Sequence, residues 1–265
     1  MKPDVIIFSN QKGGVGKSTL SRELGIYLAS RKHNVLLVDC DPQGNLSKSL
    51  LDEEEATGPG LYEALTGDAI CFKELNENLS ILTGDFRLSA LEKSLIGEID
   101  AYTRIKELFA TEHFKAFDII FLDTPPSLQV LTLNALVAAD YIIIPMRPTL
   151  YSMQGTNDLM RTIAKVKKNL NKNLNLLGVI INGFESIPVI TREIKNEIKE
   201  SFGNKVFEQV LSKTIKLEEA IAEKKGVIHL NKLDKSHAKQ EVSRIGLELL
   251  VRLGLQGGRK WQETD

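Results

Sequence analysis

The chain has 265 residues, of which 42% are hydrophobic and 26% are charged, and its formal net charge is −1 at pH 7. This is the composition of an ordinary soluble protein, and the overall charge gives no indication of a nucleic-acid binder. Any contact with DNA would therefore need a local basic patch. No segment approaches the roughly 18 uninterrupted apolar residues that a membrane-spanning helix needs.

The start of the chain and its two cysteines favour a cytoplasmic protein. The first apolar run, residues 5–8, ends at once in polar residues, so we expect no signal peptide and no helix-turn-helix domain before it. Cys40 and Cys71 belong to no metal-ligand spacing, so we expect both to be reduced thiols.

Five short apolar runs predict buried strands. They lack polar–apolar alternation, which is typical of strands that are covered on both faces of a parallel sheet. In chain order the runs are residues 5–8, 35–38, 119–122, 141–144 and 176–181. Each ends in small, acidic or polar residues.

Helix-length segments lie between and after these runs. Residues 18–31 carry leucines at a spacing of four, and residues 100–111 and 237–253 carry apolar residues on one face. Strands that alternate with helices predict a doubly wound α/β fold with a mostly parallel sheet. We expect one domain over residues 1–255, an exposed loop at residues 52–60, and a polar, mobile tail at residues 256–265.

A glycine-rich loop follows the first predicted strand and precedes the first helix. Its sequence is Lys12-Gly13-Gly14-Val15-Gly16-Lys17-Ser18-Thr19. The glycines let backbone N–H groups turn toward phosphate oxygens, and the helix directs its positive N-terminal end at the same anion. We expect Lys17 to reach the β- and γ-phosphates of ATP and Ser18 to place its hydroxyl on Mg²⁺.

Acidic residues follow two of the other strands. Asp39 and Asp41 lie at the carboxyl end of the second run, where α/β sheets bind ligands, although spacing alone suits plain loop carboxylates equally well. Asp123 ends the Walker B-like run 119–122 and is expected to bind Mg²⁺ through water.

An asparagine ends the last predicted strand. The amide of Asn182 can both donate to and accept from an adenine edge, but asparagine is also common in turns.

The phosphate loop departs from the general P-loop pattern. Gln11 stands where a glycine is usual, and Lys12 immediately precedes two glycines. A lysine at this place resembles the deviant Walker A loop of the ParA/MinD superfamily. The later string Asp39-Cys40-Asp41-Pro42-Gln43-Gly44-Asn45 is similar to the second motif of the same family. The matching motifs run from residue 5 to about residue 225.

The resemblance implies roles for individual residues. Lys12 would cross a dimer interface to the partner's nucleotide, Asp41 would orient or activate the attacking water, and Asp39 would help to hold the Mg²⁺ shell. Asn182 would contact the base. The implied catalytic set is Lys12, Lys17 and Asp41. The implied ATP-binding set is Lys12, Gly13, Gly14, Val15, Gly16, Lys17, Ser18, Thr19 and Asn182. The implied metal-binding set is Ser18, Asp39 and Asp123.

ParA-type partition ATPases are the members that this chain resembles most. The resemblance implies a Mg²⁺-dependent ATPase that forms a homodimer with ATP, binds DNA without sequence preference and associates with the nucleoid. It also implies a ParB-type, DNA-bound stimulating partner and a function in plasmid or chromosome partitioning. The expected DNA contacts are Lys195, Lys199 and Lys216. Lys216 stands where the family usually has arginine, and lysine-rich helices are often only solvated faces.

A MinD-like, membrane-associated positioning ATPase is the alternative. Such proteins end in a basic amphipathic helix that lies on the membrane. Here the last apolar stripe more simply packs on the core, so we expect no membrane partner. Iron–sulfur relatives would need paired cysteines, whereas Cys40 lies inside the nucleotide motif.

Overall fold

A computed structural model describes residues 2–149, 152–185, 189–230, 237–256 and 259–260. Within these ranges the side chains of residues 152–155, 189–192, 256, 259 and 260 are not described. The predicted tail at residues 256–265 therefore lies mostly outside the description. Among the described residues, no helix combines the length and the apolarity that crossing a membrane would require.

In the described part of the chain, eight strands form the main sheet. They are β1 (Asp4–Phe8), β2 (Val35–Asp39), β3 (Lys73–Asn76), β4 (Leu79–Leu82), β5 (Ile119–Asp123), β6 (Tyr141–Met146), β7 (Asn175–Phe184) and β8 (Leu211–Ser212). Their order across the sheet is β3-β4-β2-β5-β1-β6-β7-β8, and only the β3–β4 pair is antiparallel. The predicted doubly wound, mostly parallel sheet is confirmed. A small antiparallel pair, β9 (Leu255–Gln256) and β10 (Arg259–Lys260), follows.

Helices cover the sheet. They are α1 (Lys17–Ser30), α2 (Asn45–Leu50), α3 (Glu53–Ala56), α4 (Leu61–Thr66), α5 (Arg87–Ser94), α6 (Arg104–Phe109), α7 (Val130–Ala138), α8 (Ser152–Asn169), α9 (Val189–Phe202), α10 (Lys216–Ala222) and α11 (Ala238–Arg252). Single 3₁₀ turns lie at Glu112–Ala116, Gly203–Lys205 and Val227–His229.

Two predicted segments differ from the structure. The predicted loop at residues 52–60 is exposed at most positions but contains α3, because Ala56 turns inward and is only 3% exposed. The helix predicted at residues 100–111 is shorter, because turns occupy its first positions and α6 begins only at Arg104.

Apolar layers lie on both faces of the sheet, which explains the continuous apolar runs. In β1, Val5 and Ile7 belong to one buried cluster, and Ile6 and Phe8 belong to the other. The first layer packs against α5, α6, α7 and α8, and the second packs against α1 and α11. Successive side chains of a strand point to opposite faces, so a strand covered twice must be apolar at every position.

Strand register brings three loops to one edge of the sheet. Asp123 at the end of β5 is aligned with Phe8 at the end of β1 and with Asp39 at the end of β2. The segments after these strands therefore leave the sheet side by side at its carboxyl edge. This is the edge at which α/β sheets bind ligands.

Candidate nucleotide-binding site

A cleft of about 700 Å³ opens at the carboxyl edge of the sheet. One part of its wall is the glycine-rich loop with the start of α1. Another part is the segment after β2, which contributes Asp41. The start of α2, Pro126 after β5, the ends of β6 and β7 with Asn182, and the stretch from β8 into α10 also line the cleft. The structure therefore brings most of the predicted nucleotide residues together in one cavity.

Backbone conformation explains two glycines of the loop. Gly14 has φ +71° and Gly16 has φ +91°, a left-handed region that favours glycine. A Cβ atom at Gly16 would also lie 1.9 Å from Nδ2 of Asn182. That same Nδ2 donates to the carbonyl of Val15 at 2.7 Å. Asn182 therefore packs directly on the phosphate loop and holds it from β7, and its predicted contact with adenine stays a prediction.

Asn10, which the sequence did not single out, connects the loop to the sheet. Its Nδ2 donates to the carbonyl of Pro145 in β6 at 2.7 Å, and its Oδ1 accepts from the backbone N–H of Lys12 at 3.0 Å. Its own carbonyl accepts from Nζ of Lys17 at 3.2 Å. Asn10 thus fixes both ends of the glycine-rich segment, and its position as a polar residue between β1 and the glycines was the only signal for this role.

Asp123 carries a fully buried carboxylate at the end of β5. Neither of its oxygens has a protein partner at good hydrogen-bond geometry, although the Ser18 hydroxyl lies close enough to act on the carboxylate. Burial raises the pKa of Asp123 well above its ordinary value, and the charge of Asp39 raises it further. The Ser18 side chain and the Lys17 ammonium act in the opposite direction. A buried, unpaired carboxylate beside a hydroxyl suits a hard cation.

A metal ion beside Asp123 would need further ligands that the protein does not provide, such as water and phosphate oxygens. Within the described ranges, no group of three or more His, Cys, Asp or Glu side chains is arranged to hold a metal ion. Mg²⁺ normally keeps several waters and takes one or two carboxylates plus substrate phosphates. Ser18, which lines the cleft beside the glycine-rich loop, and the buried Asp123 near it fit that pattern.

The carboxylate of Asp39 accepts hydrogen bonds from neighbouring residues of the chain. Its Oδ2 accepts from the backbone N–H of Ser47 at 2.8 Å and from the Ser47 hydroxyl at 2.7 Å, while Oδ1 accepts from the N–H of Asp41 at 3.1 Å. Burial raises the pKa of Asp39 to about 7, although the Ser47 hydrogen bonds oppose this. These contacts fix the loop that carries Asp41, and the predicted metal role of Asp39 stays a prediction.

Asp41 lies in the cleft wall. It is 7% exposed, and its Oδ1 accepts from the N–H of Gln43 at 2.9 Å, which holds the carboxylate in a turn. Burial lowers the pKa of Lys17, and the charges of Asp123 and Asp41 counter that effect. Lys17 is therefore placed among the acidic groups at the phosphate end of the cleft.

Lys12 makes its contact away from its own cleft. Nζ of Lys12 donates to Oγ1 of Thr149 at 2.8 Å, and Lys12 is not among the described lining residues. Lys12 therefore contacts Thr149 and does not line its own cleft in this conformation. The predicted contact with a partner's nucleotide stays a prediction.

Two of the predicted DNA-binding lysines, Lys195 and Lys199, lie close together near the end of β7, and Lys216 lies on α10. Nζ of Lys195 lies 4.9 Å from the ring centroid of Phe184, and burial and the charge of Lys199 lower the Lys195 pKa. Glu185 pairs with Lys213 at 2.9 Å, which connects this region to the stretch before α10. Lys216 pairs with Glu219 at 2.6 Å. The surface is basic but interrupted by carboxylates.

Fold and cleft together define a P-loop nucleotide-binding protein. The sequence profile of the AAA-domain family matches residues 3–176. The chromosome-partitioning ATPase Soj from Treponema pallidum is 35% identical over 219 residues, which is 81% of this chain and 85% of that protein. This chain therefore belongs to the ParA-type family of P-loop ATPases, as Lys12 and the motif after β2 had indicated.

Solved structures of similar proteins hold nucleotide. A putative plasmid partition protein from Borrelia burgdorferi bound to AMPPNP has a TM-score of 0.76 and 26% identity, covering 96% of this chain and 100% of that one. Cobyrinic acid a,c-diamide synthase from Mycobacterium smegmatis with an ATP analogue and magnesium has a TM-score of 0.76 and 27% identity, covering 97% and 98%. These ligands agree with the predicted ATP and Mg²⁺.

Proposed function

We propose that this chain is a Mg²⁺-dependent ATPase that works as an ATP-driven molecular switch in plasmid or chromosome partitioning. The observation that carries the proposal is the cleft, which Lys17, Ser18 and Asp41 line, with the buried carboxylate of Asp123 close enough behind it to act on Lys17. The partitioning function named for the T. pallidum relative supports the cellular part of the proposal.

Hydrolysis of ATP would proceed by attack of water on the γ-phosphorus, with cleavage of the bond to the β-phosphate oxygen and release of ADP and phosphate. Asp41, held by the N–H of Gln43, orients the water and accepts its proton. Lys17 neutralises charge on the β- and γ-phosphates. Ser18 and Asp123 would hold Mg²⁺, which when bound offsets the charge of the phosphate oxygens.

Dimerisation would give Lys12 its function. Its ammonium rests on the exposed hydroxyl of Thr149, a contact that a stronger anionic partner can replace. In a face-to-face dimer the partner's nucleotide supplies that anion, so ATP itself would join the two subunits. After hydrolysis and phosphate release the joining charge is reduced, which would let the dimer separate.

DNA binding would follow from the dimerisation of two subunits. Non-specific binding needs only neutralisation of phosphates, and one subunit offers few free contacts because Glu185 and Glu219 pair with Lys213 and Lys216. Two subunits joined by ATP present Lys195, Lys199 and Lys216 twice, so affinity rises steeply on dimerisation. A ParB-type partner bound to specific DNA would then stimulate hydrolysis and reset the switch.

The switch can be tested by co-sedimentation of the ATP-loaded Asp41→Ala protein with random duplex DNA. Pelleting should require ATP rather than ADP and should weaken steeply with salt. Changing Lys195, Lys199 and Lys216 to glutamate should abolish pelleting of protein that is verified to hold ATP in the same sample. For a partial variant, the slope of log affinity against log salt should fall by about one for each lost contact.

A matched control changes the same amount of charge elsewhere. Lys93, Lys106 and Lys115 are exposed and belong to α5, α6 and the turn after α6. Their replacement by glutamate should preserve most of the ATP-dependent pelleting. Equal loss in both triple variants would contradict the assigned surface. Binding to anionic liposomes but not to DNA would favour the MinD-like alternative.

A further inference from the structure

A buried ion pair lies on α1, one turn after the phosphate loop. The side chains of Arg22 and Glu23 are both 0% exposed, and the guanidinium donates to the neighbouring carboxylate. Removing two charges from water costs free energy that an apolar pair of similar size would avoid. The proposed hydrolysis uses neither residue, so the pair calls for another explanation.

Hydrogen bonds from Arg22 and Glu23 hold the C-terminal end of α10 and the segment that follows it. Nη2 of Arg22 donates to the carbonyl of Ala220 at 3.0 Å and also to the carbonyl of Lys225. Oε2 of Glu23 accepts from the backbone N–H of Val227 at 2.7 Å. The Ala220 carbonyl also accepts from the backbone N–H of Lys225 at 2.9 Å, so the guanidinium adds a second hydrogen bond there and joins the last turn of α10 to the segment that follows it.

Close packing accompanies these hydrogen bonds. A Cβ atom at Gly226 would lie 2.6 Å from Cγ2 of Ile26 on α1, so the segment after α10 lies directly against α1. Nζ of Lys224 donates to the carbonyl of Leu51 at 2.8 Å and to that of Lys48, which connects the same segment to α2.

α10 forms one wall of the nucleotide cleft. Leu217, Glu218 and Ile221 line the cavity, and so do Arg22 of α1 and residues of the glycine-rich loop. α10 has only seven residues, and helices of that length are not stable without tertiary contacts. The position of this wall therefore depends on the contacts that hold it.

We infer that Arg22 is a positioning residue for nucleotide binding, which fixes α10 as the wall against the nucleoside part of the ligand. The inference rests on the proposed binding of ATP in this cleft. If α10 occupies its place only a fraction of the time, the apparent dissociation constant rises by the inverse of that fraction. Lys17 and Asp41 lie outside α10, so the rate of hydrolysis at saturating ATP should change little.

Two variants test the inference. Arg22→Lys keeps a positive charge beside Glu23 but lacks the planar fork that reaches a carboxylate and two carbonyls together. The double variant Arg22→Met with Glu23→Gln leaves no unpaired charge, and glutamine can still accept from Val227. For both variants we expect Kd and KM for ATP to rise about tenfold. This factor corresponds to a roughly tenfold decrease in the fraction of molecules in which α10 is held in its place at the cleft. kcat should stay within about twofold.

Arg252 provides the matched control. Its guanidinium pairs with Glu248 at 2.7 Å, donates to the carbonyl of Leu177 at 2.9 Å, and lies 4.2 Å from the ring centroid of Phe207. Arg252 is not among the described residues that line the cleft. Arg252→Met should lower the melting temperature without changing the affinity for ATP.

The outcomes separate the inference from the proposed function. If the wild-type chain does not bind ATP, the proposed function fails. If the wild type binds ATP and both Arg22 variants bind it equally well, or lose kcat but not affinity, the inference fails. The wild type also provides a test without substitution, because coupling is reciprocal: ATP should slow hydrogen exchange in α10. Unchanged exchange in α10 would overturn the inference.

Discussion

Asp41→Ala should lower phosphate release from ATP by about 100-fold or more and leave ATP binding intact, because one group that positions and deprotonates water is removed. The carboxylate lines the cleft and is held in place by the N–H of Gln43. Single-turnover phosphate release measures the rate, and equilibrium titration with ATP measures binding.

Asp41→Asn separates charge from loop geometry. An asparagine oxygen can still accept the N–H of Gln43 but cannot accept a proton from water, so this variant should be as slow as Asp41→Ala. Replacement of the exposed carboxylate of Asp52 by alanine should leave the rate unchanged. Full phosphate release by Asp41→Ala would exclude the assigned role.

Gly16→Ala should weaken ATP binding by roughly 100-fold. Its φ of +91° costs a residue with a side chain about 1–2 kcal/mol, and each 1.4 kcal/mol corresponds to about tenfold in affinity. The added Cβ atom would also lie 1.9 Å from Nδ2 of Asn182, so the loop or the asparagine has to move. Titration with ATP and Mg²⁺ measures the effect.

Gly67→Ala is the control for backbone strain alone. Gly67 has φ +86° at the end of α4, and an added Cβ atom there would meet nothing within 4 Å. This variant should lose stability but keep its ATP affinity. Asn182→Ala removes the obstacle, so Gly16→Ala should weaken ATP binding by a smaller factor in an Asn182→Ala background than in the wild type. Wild-type affinity in Gly16→Ala would contradict the packing of Asn182 on the loop.

The central strands were predictable because burial on both faces forces continuous apolar runs. The edge of the sheet was not, since β3 alternates between half-buried and exposed residues and β8 has only two residues. Residues of the phosphate loop were identified because their chemistry depends on neighbours in sequence. Lys17, for example, follows the glycines directly.

Long-range contacts explain what the sequence did not reveal about the site. The Arg22–Ala220 hydrogen bond joins residues that are 198 positions apart, so no local pattern identifies α10 as a cleft wall. Asn182 was singled out for adenine, yet its amide donates to the loop carbonyl of Val15. Asp39 was singled out for Mg²⁺, yet its oxygens accept hydrogen bonds within the protein. Contacts of this kind depend on how strands and helices pack.

The proposed switch requires ATP to change the assembly state. Sedimentation velocity of the Asp41→Ala protein tests this directly, because blocked hydrolysis keeps the nucleotide intact. With ATP and Mg²⁺ the protein should sediment as a dimer, and with ADP and Mg²⁺ as a monomer. Lys12→Gln in the same background should bind ATP and stay monomeric. A monomer for ATP-loaded Asp41→Ala, with binding verified in the same sample, would contradict the account.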